Sequence, residues 1–517
     1  MKKILLIAFI AILPQFLAAQ SALDALRYSQ NFYTGTARSA AMGNAVTALG
    51  GDFGALSINP ASSAVYPYTE FIFTPSLHNA ATKSTYLDNN IQEGLNRPGI
   101  TNIGYVKPIK IANYSRLVGF SFGIGYNALN NFADHISVNG TTNQSSWLAA
   151  LACKTNGIHA THLDWNDYQN PFHNSSASWK SILAWNTSLL DTLGGGSQYL
   201  GATEEIWNNN ISIPGSLRQN YSRKSVGNVG EYVINMGLNF GHQFYLGANI
   251  GIQSIYYELW EKYSESAVNP NEFWQTQFNR FAHEYHQKTV GVGVNFKLGA
   301  IFLPAPNLRL GASISTPTWM SLNEEWEEKM TAVFSDYNRT LQSPLGTYEY
   351  RVNAPFRLNL GVAYTLGSLG ALSVDYERVA FKKTYMSGKD ENFNPFSYEN
   401  QYLKDSCIST NNYRAGLELN LTDILSLRGG YAFYENPERS FGSNTHIASL
   451  GVGMRWDSFF TDLTVLQQVQ RKEGKAYKEH FALYDNVYDG GHVVYPAPVG
   501  TKTTSYWRIL LSFGFRF

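Results

Sequence analysis

The chain has 517 residues, with 39 basic and 39 acidic groups and a formal net charge of zero. Charged residues make up 15% and aromatics 14%, against about 25% charged in soluble globular proteins. The balance and the lack of any basic run exclude a nucleic-acid partner, and two cysteines exclude a disulfide-built scaffold.

At the start of the chain, Lys2 and Lys3 precede an apolar run from Ile4 to Leu17, and Ala18-Ala19 precede Gln20. Residues 1–19 therefore read as a secretory signal peptide, too short for a spanning helix. No later apolar run approaches the ~20 residues that a membrane helix needs. Residues 20–68 are rich in Ala, Gly, Ser and Asn and do not alternate. From residue 69 to 517 the pattern changes to strict alternation, the mark of a strand with one apolar face. It recurs in Val118 to Tyr126, Tyr232 to Phe240, Phe244 to Ile252, Val290 to Phe296, Leu308 to Ile314, Phe356 to Tyr364, Leu372 to Tyr376, Tyr413 to Leu419 and Leu425 to Phe433. Weaker candidates are Glu70 to Leu77, Gly99 to Lys107, His446 to Trp456 and Phe459 to Gln468. The terminal strand places Trp507, Ile509, Leu511, Phe513, Phe515 and Phe517 on one face.

This makes about fourteen strands, an even number, joined by alternating short and long gaps. The short gaps include Gly241-His242 and Asp457-Ser458. The long ones include His78 to Pro98, Glu258 to Glu284, Thr318 to Pro344 and, longest, 127–227. The expected fold is all-β: a transmembrane antiparallel barrel with long external loops. A soluble sandwich explains the strands but not the gaps. A charge facing lipid at mid-depth costs ~2–4 kcal/mol, so Glu231, Lys297, Arg309, Arg357, Asp375, Glu377, Arg414, Glu418, Arg428 and Arg455 are expected to face the lumen. About fourteen strands enclose more space than their own side chains fill. The lumen must hold water or a plug, and residues 20–68 are the candidate.

That segment carries Tyr33-Thr34-Gly35-Thr36-Ala37-Arg38-Ser39-Ala40-Ala41-Met42-Gly43-Asn44-Ala45, then Gly51-Asp52 followed by small residues, and Asn59-Pro60-Ala61 before the first strand. Together with the barrel pattern it resembles the N-terminal hatch of the FadL-type outer-membrane proteins, the transporters of long-chain fatty acids and toluene that include hemin-receptor-like members. Asn307 to Trp319 and Ser426 to Tyr431 look familial too. The resemblance implies a hatch gated by Arg38, Met42, Gly43, Asp52, Asn59, Pro60 and Ala61. It implies that Asn59-Pro60-Ala61 sits by the third strand, where a kink opens the wall. Gly119, Gly123 and Gly125 are the kink candidates there, since glycine within a strand marks bends or close approach. It also implies a monomer of the bacterial outer membrane that takes a hydrophobic small-molecule ligand, meets membrane lipid and lipopolysaccharide, and is inserted by the barrel-assembly machinery, with Phe517 in the insertion signal. No cofactor or metal is expected.

Asn269-Pro270 reads as a helix start. Behind it Trp274, Phe278, Phe281 and Tyr285 fall on one helical face. With Trp319 and Trp326 of the next loop they form either a ligand-capture groove or internal packing between loops. His159 and His162, and His283 and His286, read as solvated loop histidines. Glu324, Glu325, Glu327 and Glu328 read as a solvated helix face. No nucleophile pattern supports an enzyme. The expected function is uptake of hydrophobic small molecules by loop capture, hatch movement and lateral release; the alternatives are a surface adhesion barrel or a haem-uptake protein.

Overall fold

The computed structural model describes residues 21–111, 116–166, 168–174, 176–208, 210–389, 394–439, 443–475, 482–485, 492–495 and 498–517. The expected signal peptide lies outside them. The first barrel strands are β1 (Glu70–Tyr86), β2 (Asn89–Lys110) and β3 (Leu117–Asn131). Each amphipathic segment expected from the sequence corresponds to one strand of a closed 14-strand antiparallel barrel. Closure comes from the terminal strand Val499–Arg516, which pairs with β1 from Glu70↔Arg516 to Tyr86↔Gly500. Four of the fourteen are interrupted, as where Thr316-Pro317-Thr318 separates Leu308–Ser315 from Trp319–Phe334.

Three of the long gaps are hairpins rather than loops; in 318–344, strand Trp319–Phe334 turns back on Asn338–Gln342. β1 and β2 run on to a two-residue turn at Leu87-Asp88, where both residues have positive φ, the backbone of a type I′ hairpin. Strands Phe244–Ala267 and Phe278–Ala305 likewise extend through most of 258–284. They far exceed the ~10 residues that cross a bilayer, so their upper ends stand clear of the membrane.

Phe120, Ile234, Ile250, Val292, Leu360, Val452 and Ile509 are exposed on the outer wall. Glu231, Lys297, Arg357, Asp375, Glu377, Arg414, Glu418 and Arg428 are buried inside. Residues 21–68 fill that interior and are themselves almost wholly buried. Within 127–227, β4 (Asp134–Thr142) continues upward from β3. The rest folds into helices, among them α3 (Trp147–Thr155), and short hairpins over the end opposite Phe517.

Candidate functional site

The plug is fastened to the wall by charge. Arg38, in α2 (Ala37–Ala41), donates to both carboxylate oxygens of Glu418, at 2.9 and 3.0 Å. Glu418 also meets Arg428 at 2.5 Å, and Arg428 meets Asp462 at 2.5 Å. The Thr47 amide and hydroxyl donate to Asp375 at 2.9 and 2.6 Å. Lys297 joins Glu231 at 2.6 Å and donates to the Ser57 carbonyl at 2.9 Å. Asp52 ties the plug to itself, accepting from the Thr36 hydroxyl and the Gly54 amide, both at 2.8 Å. Burial pushes its carboxyl up, against the pull of Arg38 and Thr36.

Glycines on the inner wall let the plug backbone approach. A Cβ on Gly416 would lie 2.3 Å from the Met42 carbonyl oxygen, and one on Gly430 would lie 2.1 Å from the Gly43 nitrogen. Gly43 itself has φ +62, a backbone that favours glycine. Gly104 and Gly125 face each other in β2 and β3. A Cβ on either would fall within 2.5 Å of the Phe53 ring, so the pair forms the seat for Phe53.

Asn59, Pro60 and Ala61 are buried, as expected of a hatch element, but they do not stand against β3. Asn59 Nδ2 donates to the Thr47 and Ala300 carbonyls at 2.6 and 3.1 Å, and Asn235 donates to the Pro60 carbonyl at 2.9 Å. The motif packs on the fourth to sixth strands, where Gly247 and Gly299 make room. β3 is met instead by Phe53, Ser57 and Ser63.

The kink also differs from its expected place. β3 pairs with β2 without interruption from Gly119 to Asn127, and Gly123 and Gly125 lie in intact ladder on both sides, while Gly119 borders a register shift against strand Leu217–Phe240 at Leu117/Gly119. The strands part above Asn102↔Asn127. There β3 bulges at Ala128/Asn130 and stays with strand Leu217–Phe240, while Asn89–Ile100 of β2 pair with β1 alone. Pro98 falls in this one-sided stretch, where a missing N–H is tolerated. The plug satisfies the backbone groups freed by the bulge. The Phe32 amide donates to the Leu129 carbonyl at 2.8 Å, the Thr34 amide to Ala128 at 3.2 Å, and Asn130 Nδ2 to the Gln30 carbonyl at 3.0 Å. Buried backbone groups need such partners. Higher up, side chains bridge the break: Lys502 pairs with Asp134, and Asn89 donates to the Asn139 carbonyl at 3.3 Å.

The aromatic candidates separate. Only a single turn, Pro270–Glu272, is helical. Phe278 and Phe281 lie in a strand, brought to one face by the register shift between Phe278 and Arg280. Both are buried, and Trp147 of α3 stacks on Phe281 with centroids 5.4 Å apart. Trp326 packs against Trp179 of the same insertion at 5.4 Å. Trp274 is exposed, and Trp319 faces outward beside Phe296. The five therefore do not line one groove: three pack under the insertion and two are exposed.

Further corrections follow from the same strands. His283 is buried against Glu328 at 2.7 Å and stacked on Trp147, and His286 meets Glu258 at 3.0 Å. Glu324 and Glu328 point inward from a strand, not from a solvated helix. Cys153 and Cys407 are not joined by a disulfide, and burial pushes the Cys407 thiol up to about 11.

No protein-family model and no curated protein matches the sequence. Solved structures do match its fold. A FadL homologue of Pseudomonas aeruginosa aligns over 94% of this chain and 100% of its own, with TM-score 0.52 at 12% identity. A TodX monoaromatic hydrocarbon channel carrying a deltaS2 mutation aligns over 91% of this chain and 98% of its own, with TM-score 0.50 at 13% identity. The chain has the FadL-type outer-membrane fold: a closed fourteen-strand barrel that holds its own N-terminal segment as a plug.

Proposed function

We propose that the protein is a FadL-type outer-membrane transporter that takes hydrophobic small molecules from outside and releases them sideways into the membrane. The observation that carries this reading is the parting of β2 and β3 above Asn102↔Asn127, with plug residues 30–34 occupying the freed backbone of β3. A pore for polar solutes needs an open lumen, and here the lumen is packed. A hydrophobic molecule needs only a way through the wall, because burying its apolar area contributes ~25 cal/mol per Å² wherever it meets lipid. The gating residues are Arg38, Met42, Gly43, Asp52 and Asn59-Pro60-Ala61, all in the plug. The similar structures named for a FadL homologue and a hydrocarbon channel support the same reading.

The test is accumulation of labelled toluene and labelled oleate in cells that lack their own FadL-type proteins. Expression of this chain should raise uptake of one or both and leave uptake of a hydrophilic antibiotic unchanged. No gain for either, with the barrel correctly inserted, would overturn the proposal.

A further inference from the structure

Where β2 and β3 part, the register of β1 sets Arg97 of β2 opposite His78, and His78 opposite Arg508 of the terminal strand. Residues opposite each other in a ladder share one face of the sheet, with Cβ atoms ~5 Å apart. His78 and Arg508 are buried on the inner face, at 8% and 4% exposed. Arg97 is half-buried, in the stretch of β2 that has left β3. Three basic side chains thus stand in one rung at the parting.

None of them has a carboxylate partner among the described residues. Arg508 donates to the Gln468 side-chain oxygen at 2.9 Å, and His78 meets the Ser76 hydroxyl at 3.1 Å. The Arg97 Nε is buried without a hydrogen bond. Besides His78, the ionisable groups that act on Arg508 are two phenols, Tyr506 and Tyr434. The carboxylates of the surrounding elements are committed elsewhere. Glu93 of β2 meets His135 at 3.4 Å, and Asp134 of β4 pairs with Lys502. Glu258 is held by His286 at 3.0 Å and by the Tyr256 hydroxyl at 2.5 Å. Glu261 neutralises Arg223 at 3.0 Å, and Glu377 holds Arg357 at 3.3 Å. Lys502, Arg223 and Arg357 are therefore matched, and the rung is surplus positive charge.

Like charges opposite each other weaken a ladder, and a buried cation is costly unless paired. Beside His78 and Arg508 lies a recess of about 220 Å³, walled by Ala80, Asn131, Ala133 and Tyr506. The planar fork of arginine matches a carboxylate or phosphate. The recess has room for a small head group, and the parting beside it offers the chain a way to lipid.

We propose that Arg97, His78 and Arg508 form an anion station at the lateral exit, so that the protein prefers hydrophobic molecules ending in an acid group. This rests on the uptake reading but is tested apart from it, by equilibrium binding to the purified barrel in nanodiscs of zwitterionic lipid. The probes are radiolabelled dodecanoate, dodecanol and dodecyltrimethylammonium, with empty nanodiscs as the blank. Dodecanoate should bind at least about tenfold more tightly than the other two. Arg508→Met should remove that preference and leave dodecanol binding unchanged. Arg97→Gln, half-buried and above the shared ladder, should reduce it in a barrel whose heat-modifiable migration is intact. Equal affinities for the three probes would overturn the acid preference, and an undiminished preference in both variants would overturn the site. Anionic lipid added to the nanodisc should not displace dodecanoate; displacement would assign the station to a membrane lipid instead of the transported molecule. None of these results alters the toluene and oleate accumulation test.

Discussion

Asn102 Nδ2 donates to Asn127 Oδ1 at 2.7 Å, and both side chains are fully buried at the last rung shared by β2 and β3. Asn127 then turns its own amide to the Phe53 carbonyl at 3.1 Å and the Ser57 hydroxyl at 2.9 Å. One side chain thus ends the ladder and grips the plug. Asn127→Leu keeps the bulk and removes all three bonds, at ~1–3 kcal/mol for each buried group left unsatisfied. Exchange of plug residues 53–57 should rise, while the barrel should keep its heat-modifiable migration in gels. Unchanged exchange would show that the plug is held elsewhere.

The glycine seat makes a sharper test, because it changes shape and no charge. Gly104→Val puts atoms where the Phe53 ring sits, its three nearest neighbours all being ring atoms of Phe53, and should dislodge the plug, admitting hydrophilic antibiotics. Gly94→Val should do nothing to the plug, since a Cβ at Gly94 meets no atom within 4 Å. Antibiotic susceptibility of cells expressing each variant separates the two.

The ionic chain predicts non-additivity. Arg38→Ala leaves Glu418 to Arg428 alone, and breaking one partner of a buried pair costs about 3–5 kcal/mol. The figure here should fall below that range, because Arg38 is 20% exposed and solvent screens it. Arg38→Met with Glu418→Met should cost less than the sum of the two single changes, measured by protease sensitivity of the N-terminal segment.

Orientation across the wall is tested at Phe120, which is exposed on the outer face. Phe120→Arg should cost ~2–4 kcal/mol if it lies near mid-depth, read by urea unfolding in lipid vesicles. Ser121 is the inner neighbour, but it is no free lumenal position: its hydroxyl donates to that of Ser63 at 2.9 Å. An arginine there would collide with the plug, so Ser121→Ala is the fair comparison and should cost clearly less.

These cases show what the sequence makes legible. Alternation in segments such as Tyr232 to Phe240 fixes the strand, its lipid face and its lumenal charges, because lipid enforces that pattern at every second residue. The hatch motifs are legible as a plug, and Arg38, Asp52 and Asn59 all make plug contacts. The partners of the plug are not legible. A strand glycine carries no sign of what approaches it, so Gly104 and Gly125 read as kink candidates or as nothing. They are a seat for Phe53. The loop aromatics mislead for a related reason: Phe278 and Phe281 share a helical spacing, and a single bulge gives them a shared face in a strand as well.

The central claim is that the plug must leave the kinked part of β3 for a hydrophobic molecule to pass. Thr34 and Ala128 are joined there by a backbone hydrogen bond of 3.2 Å. The measurement is toluene uptake by cells expressing Thr34→Cys with Ala128→Cys, in a background carrying Cys153→Ser and Cys407→Ser. Oxidation should form the bridge and abolish uptake, and a reductant should restore it. Full uptake with the bridge demonstrably formed would contradict the account.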